Sequence, residues 1–195
     1  MTLRLRALAP IRAGEQVTLA YISLNRPRVE RREELSRRYK FECMCTACNR
    51  PEDDVFLSDF NRLLLKLRCM APEVASDEEA FEKWLADGAP LEYAIKLLRT
   101  PEEMVHVIDS LNGFSLAVHV YALMEQENLF PSGLWKLVLA RLVIGHSVLE
   151  QEFEVRKYAL MAALLKKAET GSDGGWAAVV QNPRQTDWWG KRVKN

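Results

Sequence analysis

An α+β fold that is mostly helical is predicted for this 195-residue chain. Three observations predict it. Short stretches near the N-terminus alternate apolar and polar residues with the period of a β-strand. A cysteine run, Cys43-Met44-Cys45-Thr46-Ala47-Cys48, follows a charged helical segment. Beyond residue 52 the apolar residues recur at helical spacing between recognisable helix starts and stops.

Leu3, Leu5 and Ala7 alternate with Arg4 and Arg6, predicting a first short strand. Ala9-Pro10 breaks the ladder, and Ala13-Gly14-Glu15 has the composition of a tight turn. Val17, Leu19 and Tyr21 then alternate with Gln16, Thr18 and Ala20, so a second strand should present Tyr21 on its apolar side. A tyrosine ending a strand commonly packs its ring and satisfies its hydroxyl at the edge.

From Asn25-Arg26-Pro27 to about Arg38 the spacing predicts a helix, with proline suited to the first turn and Val29, Leu35 and Tyr39 marking an intermittent apolar side. Glu30, Glu33 and Glu34 interleave with Arg31, Arg32, Arg37 and Arg38, which predicts a solvated helix laced by ion pairs. Mixed signs and the lack of aromatics among the bases argue against a nucleic-acid surface.

Cys43, Cys45 and Cys48 form a C-x-C-x-x-C set whose sulfurs can turn toward one point. Zinc suits such donors, because it takes soft thiolates in a tetrahedron without redox chemistry. A disulfide between Cys43 and Cys45 would close a strained ring, and an iron-sulfur cluster would lack a fourth ligand at unusual spacing. Three separately packed thiols are the remaining reading. Zinc lacks a fourth ligand here too. Cys69 is one candidate, although an isolated helical cysteine more often packs than ligates.

A domain boundary is expected near residue 52. Asp53 and Asp54 should cap a helix carrying Phe56, Phe60, Leu63, Leu64 and Leu67. Ser76-x-x-Glu79 reads as a capping box for a helix ending at Gly88, and Thr100-Pro101-Glu102-Glu103 as another helix start. Further helices are expected over about 114–127, 132–150 and 152–169, giving a solenoid-like array or irregular bundle over 52–170. Gly171 to Gly175 is a break, so 171–195 should be a flexible tail able to dock through Trp188-Trp189. His106, His119 and His146 stand singly among apolar neighbours, as packed histidines do.

Charge is zero overall yet unevenly spread. Residues 1–50 carry 11 basic and 5 acidic side chains, 51–130 carry 6 and 16, and 131–195 carry 10 and 6. The acidic middle could face a basic substrate tail, but solvated helix faces account for it more simply. No apolar run reaches bilayer-spanning length and the N-terminus has no signal-peptide core, so an intracellular, reducing location (nucleus or cytoplasm) is expected, without a membrane partner.

Taken as an ordered set, G-E-x-V-T-L-x-Y-I from Gly14, the arginine-rich helix, and L-x-x-x-Y-x-F-x-C-x-C-x-x-C from Leu35 resemble the end of a SET domain and its post-SET zinc knuckle. The likeness is greatest to SMYD-type protein-lysine methyltransferases, in which a helical C-terminal domain follows. The resemblance covers about residues 1–50 by motif. It implies that the hairpin is the end of a SET domain (1–51 with the knuckle), that Cys43, Cys45 and Cys48 hold zinc, and that the methyl donor is S-adenosylmethionine. It further implies that Tyr21 is catalytic, that Phe41 contacts the cofactor and that Tyr39 lines the lysine channel. Histone or another lysine-bearing protein would be the substrate.

The same family places a glycine-containing cofactor turn and an Asn-His-x-Cys motif upstream, its cysteine completing the zinc tetrahedron. Neither occurs in these 195 residues. The chain therefore reads as the C-terminal part of such an enzyme, inactive alone. The rival reading is a non-catalytic, zinc-stapled helical module that binds a partner protein.

Overall fold

The structure is a computed structural model that describes residues 11–14, 20–70 and 113–191. Six α-helices occur among them: α1 (Arg28–Tyr39), α2 (Glu52–Met70), α3 (Gly113–Glu127), α4 (Ser132–Val148), α5 (Glu152–Thr170) and α6 (Trp176–Gln181), followed by a 3-10 turn at Pro183–Gln185. No strand occurs among the described residues. Most of the expected hairpin lies outside them, as do the capping boxes at Ser76 and Thr100, His106, and the side chain of Cys69.

Proline and glycine set the helix ends. Pro27 and Pro131 occupy the N-cap positions of α1 and α4, their fixed φ leading the chain into the first turn. The helix expected to be capped by Asp53 and Asp54 starts one residue earlier, after Pro51. Both aspartates therefore lie inside the first turn with Glu52, where they complement the positive end of the helix dipole. Gly171 ends α5 in a left-handed conformation, φ 88°, with its N–H on Lys167 O at 2.8 Å.

Helix α4 is the centre of the helical unit. Leu134, Trp135, Val138, Leu139, Leu142, Val143 and His146 are buried around much of its circumference, as expected of a helix enclosed by neighbours. It packs on α3 and α5, while α2 lies against α3 and α4, and α6 against α5. Each large apolar side chain enclosed here, such as Leu65, Phe114, Met124 or Leu139, contributes roughly 1.5–3 kcal/mol through burial. On α5 the inward positions include Val155, Ala159, Ala162 and Ala163, and the alanines let the neighbouring backbones approach. Gly145 on α4 permits a closer approach still, since a Cβ there would fall 2.0 Å from the Phe114 ring.

The expected tail docks. Trp176, Val179, Val180 and Trp189 pack against the core. Arg156 on α5 donates to Val180 O and Gln181 O, Arg184 pairs with Glu152 at 2.8 Å, and Gly190 N–H reaches Ser147 O at 3.1 Å. No helix of the described residues is long and apolar enough to cross a membrane.

Candidate metal centre and its aromatic face

Two local events build the cysteine cluster. Lys40 terminates α1 in a left-handed conformation, φ 59°, its N–H on Ser36 O at 3.1 Å, and the chain leaves the helix axis abruptly. Cys45 O then accepts from both Cys48 N and Asn49 N at 2.9 Å, a tight turn that carries Cys48 back toward Cys43. The three sulfurs lie within 4.8 Å of one another. A tetrahedron with Zn–S bonds of about 2.3 Å needs S···S separations of about 3.8 Å, so a small inward adjustment closes the set on an ion. Three of the vertices can be filled this way.

Cys48 is buried, Cys43 half-buried and Cys45 exposed, all three as free thiols. Burial pushes the Cys43 thiol up to about 11. Burial also raises Cys45, but hydrogen bonds from Cys43, from the Cys48 backbone and from the Cys48 thiol outweigh it, leaving that thiol below its ordinary range. Of these two, the exposed Cys45 sulfur more readily carries charge.

The three aromatic residues singled out by sequence form a second group. Tyr21 and Tyr39 have ring centroids 5.1 Å apart at 55°, and Tyr21 meets Phe41 edge-on at 6.0 Å and 69°. The Tyr39 hydroxyl donates to Tyr21 O at 3.2 Å, whereas the Tyr21 hydroxyl has no hydrogen-bond partner among the described residues. All three rings are exposed. The structure thus brings Tyr21, Tyr39 and Phe41 together in one group of rings, and Cys43, Cys45 and Cys48 in one group of sulfurs that begins two residues after Phe41.

The sequence reading missed what lies beneath. Arg31, expected on a solvated face, is buried; its guanidinium donates to Arg26 O, to Ala47 O at 3.2 Å and toward Cys48 Sγ at 4.0 Å. The carbonyls of Arg26 and Ala47, one on each side of the helix in sequence, offer it acceptors that the helix surface lacks. Glu34, by contrast, pairs with Arg38 at 2.9 Å, at the helical spacing that the charge pattern predicts, and also with Arg26 at 2.6 Å, while Arg32 pairs with Glu42 beyond the helix end.

Deeper still, Glu127 at the end of α3 receives Arg62 at 2.9 Å, Ser58 Oγ at 2.7 Å and Arg50 at 3.4 Å. Arg62 also donates to Leu24 O. Arg28 joins the two regions a second time, through Glu52 at 2.6 Å and its N–H on Asp59 Oδ1 at 2.6 Å. Only the arginine-rich composition hinted at this network; partners more than 60 residues apart leave no local pattern.

No family model matches the chain, and no solved structure matches it. Three curated proteins do, over part of their length. The chain is 43% identical over 44 residues to a SET and MYND domain-containing protein of Dictyostelium discoideum, covering 23% of this chain and 11% of the relative. It is 41% identical over 59 residues to mouse histone-lysine N-methyltransferase Smyd1, covering 30% and 12%. With the human protein SMYD1 it shares 40% over 58 residues, covering 29% and 12%. The chain thus spans about an eighth or less of the curated relatives that it matches. A cysteine cluster able to hold a metal and these three matches together identify a stretch of this chain as similar to SET-domain, SMYD-type methyltransferases.

Proposed function

We propose that this chain supplies the C-terminal corner of a protein-lysine methyltransferase site, with residues 1–51 as the end of a SET domain and its post-SET knuckle and 52–170 as a helical domain. The convergence of Tyr21, Tyr39 and Phe41 on one another, just ahead in the chain of the clustered Cys43, Cys45 and Cys48, carries the reading. In it, the thiolates of Cys43, Cys45 and Cys48 would hold zinc, which would brace the turn that follows Tyr39 and Phe41 in the chain.

When bound, S-adenosylmethionine supplies an electrophilic methyl group on a sulfonium. The protein's task in such a direct displacement is to align the partners and exclude water. Tyr21 has the free hydroxyl and is the residue to orient the lysine Nζ, which must first lose a proton from an ordinary pKa of about 10.4. Tyr39, its hydroxyl engaged by Tyr21 O, is left to present a ring face to the incoming methylammonium. Phe41 completes the wall on the cofactor side. A histone or other lysine-bearing protein is the substrate, in the nucleus or cytoplasm, where thiols stay reduced.

The 195 residues contain no Asn-His-x-Cys motif, so the chain alone should bind S-adenosylmethionine weakly and transfer no methyl group. Methyl transfer from labelled donor to core histones tests this, with the chain alone and mixed with the SET-domain half of a relative. Transfer is expected only in the mixture and should fall at least tenfold with Tyr21→Phe. A zinc-loaded chain that yields no transfer in either arrangement, and whose partner binding ignores Tyr21→Phe, would instead be an interaction module. Exposed Phe153, Leu160 and Leu164 along one side of α5 favour that second reading.

A further inference from the structure

Arg31 is only 2% exposed. Burying a guanidinium is costly unless an anion compensates it. The other deeply buried arginine in this region, Arg62, has an opposite partner in Glu127. Arg31 has no carboxylate partner among the described residues. Its partners are two carbonyls, Arg26 O and Ala47 O, and one sulfur, Cys48 Sγ. Arg62 lies close enough to repel it, which adds to the local positive charge.

A divalent ion on three thiolates has a net charge of −1, and −2 if a fourth thiolate joins. Such a centre would sit where Arg31 lacks a counter-ion. We infer that Arg31 is a positioning residue of the metal centre: it balances the charge of the metal-thiolate set through Cys48, and through Ala47 O it fixes the turn that presents the sulfurs. The inference rests on the metal reading proposed above and adds the residue that makes the centre electrostatically stable. The Arg31–Cys48 contact is the sort of outer-sphere interaction that orients a ligand and tunes affinity, worth about 10–100-fold in metal binding when removed.

Zinc affinity of the full 195-residue chain, measured by competition with a chromophoric chelator, tests this, together with the thiolate-to-metal absorption of the cobalt form. Arg31→Met keeps length and removes charge; Arg31→Lys keeps charge and loses the fork. Arg31→Met should weaken zinc binding about 10–100-fold and shift the cobalt-thiolate band, with Arg31→Lys recovering part of both. Arg37→Met, on the exposed side of the same helix, should change neither.

Parent-like affinity and spectrum in both Arg31 variants would overturn the inference even if their helices melted earlier, because Arg31 would then serve the fold alone. Should Arg31→Met fail to fold by circular dichroism, Arg31→Gln, which also removes the charge, carries the test: a parent-like cobalt spectrum and affinity overturn the inference, and a loss in both that Arg31→Lys partly restores supports it. A parent chain that binds no zinc overturns the metal reading itself, a result separate from binding that is indifferent to Arg31.

Discussion

The knuckle and the helical unit are held together by different physics. Around the cysteines, Leu35 and Cys48 are the buried apolar residues described, and the segment relies on arginines, backbone carbonyls and sulfur, with its rings turned outward. In the helical unit the same accounting gives a continuous apolar cluster from Leu64 to Leu165. The difference teaches where each region takes its order from. Apolar burial is present at all metal concentrations, whereas under the proposed metal reading a corner built of thiols and guanidinium groups would gain order from an ion on the three sulfurs.

That contrast can be broken or sharpened by mutation. The largest effect is expected from Phe114→Ala, which opens a cavity where the ring packs on α4. About 3–5 kcal/mol of stability should be lost in denaturant unfolding followed by helical circular dichroism, while zinc affinity of the folded fraction stays unchanged. Equal loss of metal binding would show that the two regions do not differ as described.

Next is Glu127→Ala, which strands buried Arg62. Removing one member of a buried pair costs about 3–5 kcal/mol at its most severe; with Arg50 partly exposed the lower end is expected here. Because Glu127 serves both regions, it should lower zinc affinity as well as helix stability, and a loss confined to the helices would sever the proposed link.

The smallest effects come from two glycines on one helix. Gly145→Ala should destabilise by about 1–3 kcal/mol because Phe114 occupies the space. Gly133→Ala meets nothing within 4 Å and should stabilise by up to about 1 kcal/mol through helix propensity. Thermal melts of both variants would check the opposite signs.

The helices were legible where one helix buries a stripe against its neighbours. Residues 114–127, 132–150 and 152–169 anticipate α3, α4 and α5 within two residues, because Pro131 and Gly171 punctuate the pattern and apolar spacing does the rest. The cysteine cluster was legible because its three ligands fall within one turn. The aromatic grouping was not readable from spacing: Tyr21 and Tyr39 lie 18 residues apart, and only the resemblance to SET domains put them at one site.

Arg31 was misplaced for a related reason. Charge alternation describes the surface that a helix would show in water, and it cannot register carbonyls that the flanking segments supply, Arg26 O before the helix and Ala47 O after it. The docking of Trp176 and Trp189 depends likewise on the grooves of α5, which exist only once the helix is packed.

One carboxylate, Glu127, receives a guanidinium from each side of residue 52, the position where composition changes. Cutting the polypeptide there would leave an anion missing one of its two cations and would take the knuckle's arginine into open water. A border drawn by composition is thus crossed by charge, through a single shared carboxylate.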